Sequence, residues 1–251
     1  MTKIKVMSYN ICCLRGDGRK PFISGPMTDE QMNEAITNFD GLLTREAPDI
    51  LIITEDRTFF DTDCFATTGG EKSVYELLFK KFFHYAYHTA GGANFPHIYS
   101  KYPIKSVERL NVEYPTEDAE QRKPTLVTVK VNGIDVIVIG CHPVSGLTPE
   151  RMACRQAYYN SIVDYISDKP YVIIAGDMNN AADGKGEMKP FADAGLTLGN
   201  HGAFGSFVTY RDTRGFMIDN IITKGLLMKN FVVGQEDYSD HCPVYSEVYL
   251  P

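Results

Sequence analysis

The chain has 251 residues, 43% hydrophobic and 23% charged, with a formal net charge of −7 at pH 7. That length allows one large domain or two small ones, with a sizeable core in either case. The acidic balance argues against a protein that holds nucleic acid mainly by broad electrostatic attraction. It leaves room for a local basic rim or for a substrate held through a metal ion.

The first ten residues, Met1 to Asn10, lack the apolar core of a signal peptide. The longest apolar runs, such as Ile134 to Cys141, are too short to span a bilayer. The six cysteines, Cys12, Cys13, Cys64, Cys141, Cys154 and Cys242, form no CxxC pair, which argues against a zinc site. The expectation is a cytoplasmic protein with reduced thiols, with no stable membrane association and a monomeric state.

In chain order, Lys3 to Tyr9 alternates as a strand, and a Gly/Arg/Lys-rich loop runs from Arg15 to Pro26. Thr28 and Gln31 make a capping box, after which Met32, Ile36, Phe39 and Leu43 recur at helical spacing up to Pro48. Ile50 to Ile53 is a short buried strand running into Thr54-Glu55-Asp56-Arg57. Ser73 with Glu76 opens a second helix, through Leu77, Leu78 and Lys81. Strands then follow at Ile98–Ser100, Ile104–Val112 and Leu126–Val131, the last joined to Ile134–Ile139 by the hairpin signal Asn132-Gly133.

Thr148-Pro149 reads as an N-cap with proline at the first helical position, starting a helix to about Ile166. Tyr171 to Ala175 is a strand, and a shorter helix covers Glu187 to Ala194. Ser206–Tyr210, Ile218–Thr223, Phe231–Gly234 and Val244–Leu250 are further strands. No linker, repeat or low-complexity tract divides residues 1–251, so one α/β domain with mixed sheets and outer helices is expected.

Several of these apolar runs end in a polar residue. Tyr171 to Gly176 stops at Asp177-Met178-Asn179, where residues two apart share a face. Asn10 closes the first strand, Glu55 the second, and His142 follows Gly140. Asp219 lies inside an otherwise apolar run, where a carboxylate is costly unless paired or metal-bound. Each has an ordinary reading: turn formers at Asn10 and Asp177, a solvated pair at Glu55 and Asp56, and an arginine partner such as Arg211 or Arg214 for Asp219. Jointly the ordinary readings fare worse than a site.

The ordered series Asn10, Glu55, His142, Gly176-Asp177-Met178-Asn179, Ile218-Asp219 and Ser239-Asp240-His241 resembles the endonuclease/exonuclease/phosphatase superfamily, from Lys5 to Leu250. Ser100 to Ile104, and Arg151 with Arg155-Gln156, agree with it. That superfamily includes DNase I, exonuclease III, abasic-site endonucleases, neutral sphingomyelinases and inositol polyphosphate 5-phosphatases. The resemblance implies a four-layer α/β sandwich, two mixed β-sheets face to face with helices outside. It also implies hydrolysis of a phosphate ester with Mg2+ or Mn2+.

By resemblance, Asn10 and Glu55 hold the metal with Asp240 nearby, an oxygen donor set suited to a hard cation. Asp177 orients or deprotonates the attacking water, and Asn179 donates its amide to a phosphate oxygen. His241 contacts the scissile phosphate or transfers a proton, with Asp219 orienting its ring. His142 matches a second phosphate-contacting histidine of DNase I-like members. The general base is left open among these groups. Two positions depart from the pattern: Thr54 stands where glutamine is frequent, and Met217 where arginine is.

The substrate is expected to be nucleic acid, with Arg15, Arg211 and Arg214 contacting backbone phosphates. Tyr9, Phe204, Phe207, Tyr210 and Phe216 are candidates for stacking. The alternatives are a phosphatase or phospholipase C-type hydrolase of a small or lipid phosphate ester, and a catalytically silent binding module. The chain contains no Trp and lacks the Pro-x-Trp-Cys-Asp-Arg signature of inositol phosphatases.

Overall fold

The computed structural model describes residues 1–14, 27–56, 78–88, 95–116, 122–180, 184–201, 205–209, 212–236 and 238–251, with backbone alone at 13, 208, 209 and 212–214. In chain order the elements are β1 (Thr2–Asn10), α1 (Asp29–Glu46), β2 (Ile50–Thr54), β3 (Tyr85–Tyr87), β4 (His97–Ser100), β5 (Ile104–Arg109), β6 (Thr125–Val131) and β7 (Ile134–Cys141). There follow α2 (Pro149–Tyr165), β8 (Val172–Asp177), α3 (Lys189–Asp193), β9 (Thr197–Leu198), β10 (Phe207–Thr209), β11 (Asp212–Phe216), β12 (Asp219–Lys224), β13 (Leu227–Val233) and β14 (Val244–Leu250). One six-stranded sheet runs β13-β14-β1-β2-β4-β3 and the other β5-β6-β7-β8-β12-β9, while β10 and β11 form a separate hairpin.

The period of two along each strand sorts side chains into layers. Ile4, Val6, Ile50, Ile52 and Ile98 from the first sheet meet Val127, Val129, Val136, Val138, Ile173, Ala175 and Ile221 from the second. On the outer face of the first sheet, Met7, Tyr9, Leu51 and Ile53 pack against Met32, Phe39, Leu42 and Leu43 of α1. On the outer face of the second, Ile139, Val172, Ile174 and Ile222 pack against Tyr158, Tyr159 and Ile162 of α2. The order is helix, sheet, sheet, helix, as the resemblance implies. Each fully buried aliphatic or aromatic side chain contributes about 1.5–3 kcal/mol.

Local signals hold where short-range chemistry sets them. Thr28 Oγ1 accepts from Gln31 N–H at 3.2 Å, and Gln31 Oε1 accepts from Thr28 N–H at 2.9 Å. The left-handed φ of 46° at Ala47 ends α1 before Pro48. Thr148 caps α2 with proline in the first turn. Asn132 and Gly133, with φ of 48° and 90°, turn β6 into β7.

Other expectations change. Ile104–Val112 is shorter, stopping at Arg109. The helix expected over 187–194 is a 3-10 turn, Gly186–Met188, followed by the single turn of α3, with Pro190 in its first turn. β10 falls within the strand expected over Ser206–Tyr210, whereas β11 was not expected. β13 begins at Leu227, before the expected Phe231, because a register shift between Lys229 and Val232 breaks its alternation. The capping box Ser73/Glu76 lies outside the described residues, and Phe79–Lys81 is a 3-10 turn. Among the described residues no helix is long and apolar enough to cross a membrane.

Candidate active site

Continuing the inter-sheet alternation past the last apolar residue yields the site. Ile4 and Val6 are followed two by two by Ser8 and Asn10; Ile173 and Ala175 by Asp177; Val136 and Val138 by Gly140 and His142. Asp219 precedes Ile221 on the same face. β1 and β2 run parallel, as do β7 and β8, so these polar positions reach one end of the sandwich. β12 is antiparallel to β8 with Asp219 opposite Asp177, bringing a strand start to that end. β14 is antiparallel to β1 with Val244 opposite Ser8, so the segment before β14 returns to Asn10. Ser239 Oγ donates to Asn10 O at 2.7 Å.

Gly176 explains part of the motif around Asp177. Its φ is 152°, and a Cβ there would lie 2.0 Å from the Cys141 carbonyl oxygen. Only glycine lets β7 and β8 approach closely enough to bring His142 and Asp177 together. Glu55 (φ 57°) and Asn179 (φ 50°) also lie in the left-handed region, uncommon for side-chain-bearing residues and concentrated at functional sites.

Two groups of side chains meet here. In the first, Asn10 Nδ2 donates to Glu55 Oε1 at 3.0 Å and to Asp177 Oδ2 at 3.1 Å. His142 Nε2 is 3.5 Å from Glu55 Oε1 and 3.7 Å from Asp177 Oδ2. In the second, His241 Nδ1 is 2.8 Å from Asp219 Oδ2, and its Nε2 is 3.6 Å from Asp177 Oδ2. Asp177 therefore stands between two imidazoles. Its Oδ1 accepts the Asn179 N–H at 2.8 Å, and Asn179 Nδ2 donates to Pro143 O at 2.9 Å.

Burial pushes the Asp177 carboxyl up to about 7, with Asp219 and Glu55 adding to the rise while His241 and the Asn179 N–H oppose it. Burial alone would lower the His241 ring, but Asp219 and Asp177 outweigh it and raise it to about 10. At neutral pH His241 is thus an imidazolium, a donor rather than a base, with Nδ1–H on Asp219 and Nε2–H facing Asp177.

The donor set fits a divalent cation. Oxygens of Glu55 and Asp177 and a nitrogen of His142 lie within 4.8 Å of one another; ligand atoms of Asp177, Asp219 and His241 are equally close, but an imidazolium has no lone pair for a metal. Two carboxylates converging on one amide leave negative charge that a hard cation neutralises. As placed, Asn10 turns its nitrogen toward both carboxylates while its Oδ1 accepts the Cys12 N–H at 3.1 Å. Ligation through Asn10 requires that amide to turn over and give up Cys12. Asp240 belongs to neither group; its Oδ1 lies 3.2 Å from Ser239 Oγ, and its charge helps raise the His241 pKa. Arg15 and Arg211 lie outside the described residues, and Arg214 is described by its backbone in β11 alone.

Asp219 pairs with His241, the partner the resemblance implied, in place of the arginine of the ordinary reading. Arg122 was not singled out from the sequence. Its buried guanidinium places Nη1 2.9 Å from His142 Nε2 and donates to Pro143 O at 3.3 Å. A guanidinium only donates, so His142 Nε2 accepts there and the ring carries its proton on Nδ1. The hairpin at Asn132-Gly133 held the clue: it sets Thr125 opposite Gly140, so residues just before Thr125 must neighbour those just after Gly140. Arg155, 1% exposed, ties the segment after His142 to the 3-10 turn Gly186–Met188. It forms a two-pronged pair with Glu187 at 2.6 and 3.0 Å and donates to Val144 O and Gly146 O at 3.0 and 2.6 Å.

A sandwich whose two sheets together present paired carboxylates, a His–Asp pair and a buried guanidinium has the makings of a phosphoesterase. A family model described as "Endonuclease/Exonuclease/phosphatase family" matches residues 7–241, and the chain belongs to that family, making it a phosphoric-ester hydrolase by class. Comparison with curated proteins finds no match. Solved structures share the fold at low identity. A humanized D. rerio TDP2 is 15% identical with a TM-score of 0.68, covering 99% of both chains. An endonuclease/exonuclease/phosphatase from Beutenbergia cavernae is 16% identical with a TM-score of 0.70, covering 100% of this chain and 72% of that one. Sphingomyelinase C from Streptomyces griseocarneus is 17% identical with a TM-score of 0.66, covering 98% and 99%.

Proposed function

We propose that the chain is a divalent-metal-dependent phosphodiesterase, with nucleic acid as the leading substrate. The observation that carries this reading is the placement of Asp177 Oδ2 3.6 Å from His241 Nε2 and 3.1 Å from Asn10 Nδ2. A buried carboxylate, a charged imidazole and the Glu55/Asn10 pair thus converge on one small volume. A bound Mg2+ or Mn2+ would polarise a phosphoryl oxygen and offset charge on the leaving oxygen. Asn10 and Glu55, with Asp240 nearby, are the residues proposed to hold it.

The remaining work belongs to the chain itself. Asp177, raised toward neutrality by burial, is poised to orient or accept a proton from an attacking water. His241 donates through Nε2 to a phosphoryl or leaving oxygen, held in place by Asp219. Asn179 has one amide hydrogen on Pro143 O and one left for a phosphate oxygen. Phe207 lies 4.8 Å from the His241 ring and 6.2 Å from the exposed ring of Phe216. Aromatic faces stepping outward from the site suit a nucleobase.

A second reading, a phospholipase C-type hydrolase, is favoured by one observation. Leu147, 88% exposed, follows the His142 loop, and Phe216, 57% exposed, precedes Asp219. Two protruding apolar side chains near the catalytic end would also suit a lipid aggregate. Purified protein with Mg2+ or Mn2+ is expected to hydrolyse bis-p-nitrophenyl phosphate faster than its monoester. A panel of single- and double-stranded DNA, RNA, sphingomyelin and inositol phosphates then separates the two readings. Failure on every ester would leave the silent binding module standing.

A further inference from the structure

Ser206 is fully buried, yet its hydrogen bonds join the two halves of the His–Asp pair. Its Oγ accepts the backbone N–H of Asp219 at 2.9 Å and that of Ile218 at 3.2 Å, and donates to Phe216 O at 3.3 Å. Its carbonyl accepts the N–H of Cys242, the neighbour of His241, at 2.6 Å. Its own N–H donates to Phe216 O at 2.8 Å. The next residue, Phe207, bridges His241 through the backbone and packs its ring on the imidazole at 4.8 Å.

Asp219 and His241 reach the site from different strands, one at the start of β12 in the second sheet and one before β14 in the first. Nothing in either strand's own ladder sets the distance between them. We infer that Ser206 is a positioning residue for the catalytic pair: its hydroxyl locates Asp219, its carbonyl locates the His241 segment, and together they hold the two side chains at hydrogen-bond range. The inference rests on the proposed phosphodiester chemistry only for its kinetic consequence.

A side chain with a hydroxyl is needed at this position for a definite reason. Two adjacent backbone N–H groups, of Ile218 and Asp219, converge on one oxygen. Alanine leaves both without that acceptor in a buried place, so the segment must shift to find others. A shift of the Asp219 backbone turns its carboxylate away from Nδ1. That loosens a group used in the transition state without touching the surface where substrate binds.

The test compares wild type with Ser206→Ala and Ser206→Thr, each first shown to be folded by circular dichroism. In Ser206→Ala, kcat on bis-p-nitrophenyl phosphate is expected to fall about tenfold or more with KM changed less than about twofold, the pattern of a lost transition-state contact. The low-field proton resonance of His241 Nδ1–H, assigned by its loss in His241→Gln, is expected to shift or broaden. Ser206→Thr keeps the oxygen and is expected to retain both resonance and kcat within about threefold. An unchanged resonance in folded Ser206→Ala overturns the inference, whatever happens to kcat. If Ser206→Ala does not fold, Ser206→Cys, a weaker acceptor, is read the same way. If wild type cleaves no ester, the proposed function fails, yet the resonance still decides whether Ser206 holds the pair.

Discussion

Asn10 Nδ2 donates to Asp177 Oδ2 at 3.1 Å, and this one bond joins β1 of the first sheet to β8 of the second at the mouth of the sandwich. Two sheets that share an apolar interior thereby share a polar rim. The proposed chemistry belongs to neither sheet alone, so small changes in how the sheets pack should be felt as changes in activity.

Changing Asp177, or the His241 beside it, should be severe. Asp177→Asn and His241→Ala are each expected to lower kcat on bis-p-nitrophenyl phosphate by about a hundredfold or more, as for general acid–base groups. Retained activity in both variants would displace the site from this end of the sandwich.

Metal affinity should follow Glu55. Glu55→Gln keeps the shape but removes a charge from the group it makes with Asp177 and His142. Calorimetric titration with Mn2+ is expected to show binding weakened by about tenfold or more. Chelation with EDTA should abolish hydrolysis by wild type, and added Mg2+ or Mn2+ should restore it. Equal Mn2+ affinity in wild type and Glu55→Gln would place the cation elsewhere.

The Arg155–Glu187 pair should be costly to break and cheap to replace. Both side chains are almost fully enclosed, at 1% and 11% exposure. Arg155→Met leaves a buried carboxylate and two loop carbonyls without their donor, an expected loss of about 3–5 kcal/mol by urea unfolding. Arg155→Met combined with Glu187→Met should recover much of that loss. If the double variant is no more stable than the single one, the carbonyl contacts to Val144 and Gly146 carry the stability instead.

Acid should destabilise the fold through His97. Burial lowers its ring to about 4, against an ordinary value of 6.5. Below pH 6.5 the unfolded chain takes up a proton that the folded chain refuses, so stability present above pH 6.5 is lost as pH falls toward 4. At about 1.4 kcal/mol per unit, His97 accounts for roughly 3 kcal/mol at most. His88, 5.3 Å away between ring centroids, is lowered in the same direction by burial and then by His97. Chemical denaturation of wild type and His97→Phe across that range should show a shallower acid loss in the variant.

Much of the site was legible because its signals are local. A strand alternates with period two, so Asn10 and Asp177 could be read as closing their strands at a site, although the face expected to be shared with Asn179 stops at Asp177, where β8 ends and Asn179 turns to a φ of 50°. Capping boxes and Asn-Gly turns are likewise decided within four residues. Arg122 and Ser206 escaped because nothing in their immediate neighbours is unusual. Arg122 matters through the β6–β7 register, and Ser206 through two segments that lie 13 and 36 residues further on in sequence, at Asp219 and Cys242.

The sequence by itself determined most of the element types, the polar residues that close several strands and the family to which their order belongs. Those follow from periodicity, turn chemistry and motif order, all properties of short stretches. Only the tertiary structure decided which closing residues meet. It set Asp177 between His142 and His241, gave Asp219 to His241 and put a guanidinium behind His142. Those contacts depend on the packing of one sheet on another, which no local pattern specifies. Burial at that junction moves the Asp177 carboxyl toward neutrality, while the carboxylates of Asp219 and Asp177 outweigh burial and leave His241 charged.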